Sequence, residues 1–262
     1  MKAPYLNTLF KPCCYTQENA YKLYKWIPND PLFDVSNGKS GKRIMKIKEK
    51  STLPMRCFIP SQCRGYEGQF QAENNRKIVF SMQRPIKCTI LCISRPEISV
   101  YYLNPQKQKQ LALTTEQNEL KRLNQFEDHI QQFQEEKIGM RELIGRAYLP
   151  FTICGTSVII YDENNQPIYQ IYGSSMQCQL FFMPTPCGPC RDAVWVIADY
   201  KSTIEDPVGH VYKRWSNCYK QCCSTAPWYI IDFPEKIDWK KKVLIISAVQ
   251  LLDQHYFESN CK

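Results

Sequence analysis

The sequence predicts a mainly β domain built around a hydrophobic helix near its C-terminal end. Three observations predict it. Short runs with strand-like alternation recur between turn residues from residue 32 onward. Residues 104–139 interrupt them with helical composition. Residues 238–257 contain no glycine or proline, and their centre, 243–252, is apolar nearly all round. A helix that is apolar on every side is buried in protein or lipid.

The elements follow in order. Residues 1–30 hold aromatics and the pair Cys13-Cys14 without a clear period, and read as an N-terminal arm with a short helix over 17–25. The domain itself is expected over 31–258, with a tail at 259–262. Its first strands are 32–35, before the turn Asn37-Gly38, and 42–48. Residues 69–72 and 77–82 flank Asn74-Asn75, a hairpin pattern. Strands follow at 90–93 and 98–103. The 104–139 insertion places Leu120, Leu123, Phe126, Ile130 and Phe133 at spacings of three and four, which makes one apolar helical face. It is read as a surface insertion without chemistry of its own. Strand rhythm resumes at 143–148, and 157–161 and 167–172 flank a second hairpin signal, Asn164-Asn165. Residues 177–183, 193–198, 208–212 and 228–232 complete a set that implies a sandwich or a barrel. The helix expected over 239–257 favours the barrel. Its apolar centre rises only about 15 Å, too short for a bilayer and enough to fill a small barrel.

Composition narrows the class of partner. The chain has 262 residues, 44% hydrophobic and 23% charged, which suits a globular domain rather than a disordered one. A net charge of +9 suits an anionic partner: a phospholipid surface, nucleic acid or an acidic protein. Nothing resembles an RRM, KH or zinc-finger signature, which disfavours nucleic acid. Residues 1–10 are interrupted by Pro4 and Asn7 and lack the apolar core of a signal peptide. The apolar run at 243–249 is broken at Ser247 and stopped by Gln250, far short of the roughly 20 apolar residues of a spanning helix. A soluble or peripheral protein in a reducing compartment is therefore expected, and its fourteen cysteines are not expected to form a disulfide framework.

Several constellations carry candidate chemistry. Lys46, Lys48 and Lys50 share one face of a strand and suit anionic headgroups; a solvated edge strand guarded by lysines reads equally well. Cys187-Gly188-Pro189-Cys190 has the residues of a thioredoxin active site, but prolines precede it and a strand follows, where that chemistry needs a helix N-terminus. The same pair has zinc-ligand spacing, and Cys218 with Cys222 or Cys223 would complete four thiolates; thiols without metal are the competing reading. His129, His210 and His255 form no triad that spacing supports.

One collinear set of segments resembles the phospholipid scramblase family. Val208-Gly209-His210-Val211-Tyr212-Lys213-Arg214-Trp215 is similar to its Val-Gly strand ending in a basic residue and Trp. Phe233-Pro234, the acidic and Lys-rich 238–242, and an apolar helix ending Leu251-Leu252-Asp253 and Tyr256-Phe257-Glu258 follow in the family's order. Upstream, Met82-Gln83-Arg84-Pro85-Ile86-Lys87-Cys88 resembles its Arg-Pro segment, and Ile144-Gly145-Arg146 and 151–172 resemble the strands after it. The resemblance implies a tubby-like fold, a twelve-stranded β-barrel around a hydrophobic C-terminal helix. It implies calcium-stimulated, ATP-independent movement of phospholipids between leaflets, without covalent catalysis, at the cytoplasmic face of the plasma membrane. A non-transporting lipid- or phosphoinositide-binding adaptor is the alternative. Two family features are altered. The positions matching the calcium segment include Thr225, Pro227 and Lys236, leaving Asp232, Glu235 and Asp238 to offer carboxylates in another register. Of the family's palmitoylated cysteine cluster only Cys88 and Cys92 remain, and Cys13 and Cys14 in the arm are the better acylation candidates.

Overall fold

The computed structural model describes residues 20–25, 43–52, 59, 63–74, 77–87, 95–103, 141–152, 155–174, 176–177, 192–201, 206–214 and 228–257. Eleven strands occur among them: β1 (Ala20–Tyr24), β2 (Arg43–Lys50), β3 (Tyr66–Ala72), β4 (Ile78–Arg84), β5 (Glu97–Leu103), β6 (Arg141–Tyr148), β7 (Gly155–Asp162), β8 (Pro167–Ser174), β9 (Ala193–Asp199), β10 (Gly209–Arg214) and β11 (Trp228–Asp232). Each pairs antiparallel with the next, so the sheet is one continuous meander. The helix α1 (Trp239–Tyr256) follows β11.

Period-two patterning explains the curl. Inward residues such as Ile47, Phe70, Met82, Val100, Ile160 and Val211 are buried around α1. On α1 every residue from Val243 to Gln254 is buried except Ile246. Asp238 caps the helix by accepting from the Trp239 amide at 2.8 Å, satisfying one of the amides a helix start leaves open. Trp239 then stacks with Phe80 and Tyr102, centroids 5.6 Å away, and seats the helix start at one rim of the barrel. The other rim holds the helix end. There the fully buried Trp195 donates through Nε1 to Thr156 Oγ1 at 2.8 Å and meets Phe257 edge-on. Gly173 lies under that indole, and a Cβ there would stand 2.4 Å from Trp195 Cδ1.

The mainly β class, the barrel-like curl and the central helix are as expected. The Asn164-Asn165 hairpin is also present: Asn165 has φ 61°, and Asp162 Oδ1 accepts from the Asn164 and Gln166 amides at 2.9 and 2.8 Å. The segment read as a short helix over 17–25 is instead strand β1 over its described part. Tyr21 and Leu23 pack inward while Ala20 and Lys22 are exposed. That two-residue alternation, beside an available partner in β2, overrides weak helical propensity. Strands expected at 32–35 and 90–93, and the helical insertion at 104–139, lie outside the described residues. Gln177 is not in a strand; its side-chain amide pairs with the Val194 backbone, accepting at 2.7 Å and donating at 2.8 Å.

Candidate functional site

Two features of the β1–β2 side of the barrel stand out, one on each face. The outer face is basic. Ile44, Lys46, Lys48 and Lys50 point outward from β2, while Met45, Ile47 and Glu49 point in. The register sets Lys22 of β1 directly opposite Lys46. Side chains so placed start about 5 Å apart across strands and about 7 Å apart along one. No carboxylate pairs with Lys22, Lys46, Lys48 or Lys50 among the described residues. Some other surface cations are matched: Arg43 pairs with Glu73, Lys87 with Glu97, and Lys240 with Glu142 and Glu163. Glu67 lies across from Lys50 but accepts from Arg141 at 3.1 Å. Glu49, the one acid in this stretch of β2, is turned inward to a buried ion pair with Arg64 at 3.1 Å. The result is a lysine stripe that forms no ion pair among the described residues.

The inner face holds a seam. Among the described strands, β1 and β11 are the two margins of the sheet and are not paired with each other. Both send a tyrosine to one buried carboxylate on α1. Tyr21 donates to Asp253 Oδ2 at 2.9 Å, and Tyr229 donates to Asp253 Oδ1 at 2.7 Å. Burial, then the nearby Asp253 charge, pushes the Tyr229 hydroxyl well above its ordinary range, so it stays a donor. The next residue, Gln254, accepts from Tyr66 at 2.6 Å and from Arg84 at 3.2 Å. His255 is held neutral, its pKa lowered to about 4 by burial and then by Arg95 and Arg84. The α1 backbone lies nearest β5, β6 and β7, the middle of the sheet. These polar groups therefore tie the sheet margins to the helix end, closing by side chains what the ladder leaves open.

The other candidate residues are placed as follows. Asp232 ends β11, Glu235 stands in the following turn and Asp238 caps α1; all three are exposed. Among the described residues no group of three or more His, Cys, Asp or Glu side chains is arranged to hold a metal ion. Cys13, Cys14, Cys88, Cys92, Cys187, Cys190, Cys218 and Cys222 lie outside the described residues. His210 stacks on Tyr212, apart from His255 at the helix end. Sequence reasoning missed Lys22 and Tyr21, because their segment was read as an arm. It also missed the joint role of Tyr229 and Asp253, for which an acid closing an apolar helix is the one visible signal.

Residues 155–259 match the family model described as Scramblase. This C-terminal stretch is similar to the scramblase family. The matched stretch contains β7 to β11 and α1, the half of the barrel that carries Tyr229 and Asp253. β1 to β6, with the lysine stripe and Tyr21, precede it. No solved structure matches the chain. No helix among the described residues is long and apolar enough to cross a bilayer, which says nothing of strands.

Proposed function

We propose that this chain mediates ATP-independent, bidirectional movement of phospholipids between leaflets, working from the cytoplasmic face of the plasma membrane. The scramblase match over residues 155–259 carries the reading. The stripe formed by Lys46, Lys48 and Lys50, which Lys22 extends, supports it by offering cations to anionic headgroups, each contributing about 1 kcal/mol near a charged leaflet. No covalent step is assigned: the protein lowers the barrier to headgroup transit rather than breaking a bond. Calcium stimulation is part of the proposal without an assigned site, since Asp232, Glu235 and Asp238 are exposed beside the start of α1 but are not gathered to hold a cation. Acylation of Cys13, Cys14, Cys88 or Cys92 would add anchorage that the lysines alone do not give.

A second reading is favoured by one observation. The apolar helix is buried within the barrel, where its side chains are engaged by the sheet rather than offered to lipid. A lipid-binding adaptor without transport would have that arrangement. Reconstitution separates the two. Purified protein is placed in sealed liposomes carrying a fluorescent phospholipid, and dithionite bleaching is followed with and without calcium. Rapid loss of the protected inner pool is the result expected of a scramblase. Retention of that pool with confirmed incorporation and sealed liposomes sinks transport and selects the adaptor. A calcium-independent rate sinks calcium stimulation.

A further inference from the structure

We propose that Lys22 and Lys46 form a binding site for the anionic headgroups of a membrane leaflet, and that occupying it closes the barrel seam. The proposal rests on the reading of a membrane-surface protein but not on lipid transport.

The argument starts from the register. Lys22 and Lys46 are directly opposed on the outer face of β1 and β2, and like charges so opposed weaken strand pairing. Among the described strands β1 pairs with β2 alone, so that repulsion falls on a five-residue margin. An anionic oxygen set between the two ammonium groups converts repulsion into a bridge. It thereby favours the docked state of β1, as any ligand favours the state it binds.

The neighbouring residue carries this to the interior. Tyr21 points the other way from Lys22 and donates to Asp253 on α1. Consecutive residues of one short strand thus hold a candidate headgroup site outside and half of the seam inside. Docking of β1 completes both together. By reciprocity, a headgroup that steadies β1 steadies the Tyr21–Asp253 bond, and loss of that bond weakens headgroup binding by the same factor.

The shape of the stripe selects a surface over a free anion. Lys48 and Lys50 extend the outward face beyond Lys46, and Ile44, half exposed at 49%, continues it toward the rim. A dissolved phosphate uses one lysine pair. A charged leaflet meets all four lysines and gives Ile44 an apolar neighbour. Glu49, turned inward to Arg64, adds no charge to this face, and Glu67, opposite Lys50, is engaged by Arg141.

Hydrogen exchange read by mass spectrometry tests this on the full chain. Three additions are compared: vesicles of phosphatidylserine in phosphatidylcholine, pure phosphatidylcholine vesicles, and inorganic phosphate. Anionic vesicles are expected to slow exchange of the β1 amides about fivefold or more, the lower bound of ordinary coupling, with the neutral vesicles inert. Lys22→Gln is expected to remove most of that slowing. Tyr21→Phe is expected to speed β1 exchange without lipid and to weaken binding to anionic vesicles by a matching factor. Unchanged β1 exchange with anionic vesicles, whether bound or unbound, overturns the proposal. So does an unaltered vesicle affinity in Tyr21→Phe. Full protection by phosphate alone overturns the leaflet as the occupant. Protection without scrambling in the liposome assay sinks transport and leaves this site standing; scrambling without protection does the reverse.

Discussion

Removing the two tyrosine hydroxyls at the seam, singly and together, asks whether the sheet margins are fastened by one device. Each of Tyr21 and Tyr229 donates to a different oxygen of Asp253, at 2.9 and 2.7 Å. A hydrogen bond to a charged group contributes about 1.5–3 kcal/mol. Tyr21→Phe belongs at the low end, about 1.5 kcal/mol, because β1 is a margin that water reaches when it frays. Tyr229→Phe belongs higher, about 2–3 kcal/mol, since its hydroxyl is deeply desolvated. The double variant is expected to cost less than the sum, by about 0.5–1 kcal/mol or more. Once Tyr21 is gone, β1 loosens and water solvates the carboxylate, so the second hydroxyl is worth less. Urea unfolding of the four proteins at pH 7 measures the cycle. Additivity within about 0.3 kcal/mol, the scatter of independent sites, would refute the shared fastening.

Two further outcomes follow from the core. His255 has a folded pKa of about 4, below its unfolded value of 6.5, so the unfolded chain binds more protons between those limits. Its contribution is complete above pH 6.5 and is lost as pH falls toward 4, by about 3 kcal/mol at most; urea midpoints of His255→Phe should be correspondingly flatter across that window, and an unchanged slope would place the acid sensitivity elsewhere. Gly145 has φ 158°, and a Cβ there would stand 2.3 Å from the Tyr161 carbonyl oxygen and 3.0 Å from Leu244 Cδ1. Gly145→Ala should therefore cost about 2–4 kcal/mol and lower Tm by about 5–15 °C; a melting curve within a degree or two of the parent would show that β6 can retreat.

The fold was legible wherever a local pattern had one meaning. Alternation marked β6 to β11, an Asx-stabilised turn marked the β7–β8 hairpin, and an apolar run without breakers marked α1. Residues 17–25 were misread because a five-residue strand offers too few alternations to outweigh helical composition; its identity came from β2, which lies some twenty residues away. The lysines of β2 were legible for the same reason as the strand, since a period of two puts 46, 48 and 50 on one side. Lys22 was not, because pairing partners are set by register and not by any local signal. The Tyr21–Asp253–Tyr229 junction joins residues separated by 232 and 24 positions. A sequence displays such residues as three unremarked polar side chains until the sheet curls.

The order of the elements has a consequence in time. All eleven described strands precede the helix they wrap. A ribosome emits roughly 5–20 residues per second, so on the order of ten seconds or more separate the appearance of β1 from that of α1. Through that interval the inward faces of the strands have sheet partners but no central filler. Nascent chains halted before residue 239 should be sticky, chaperone-bound species rather than loosened versions of the finished barrel. The final step of folding is then capture of a helix by a waiting sheet, and a variant that delays it extends the most aggregation-prone moment in the life of the chain.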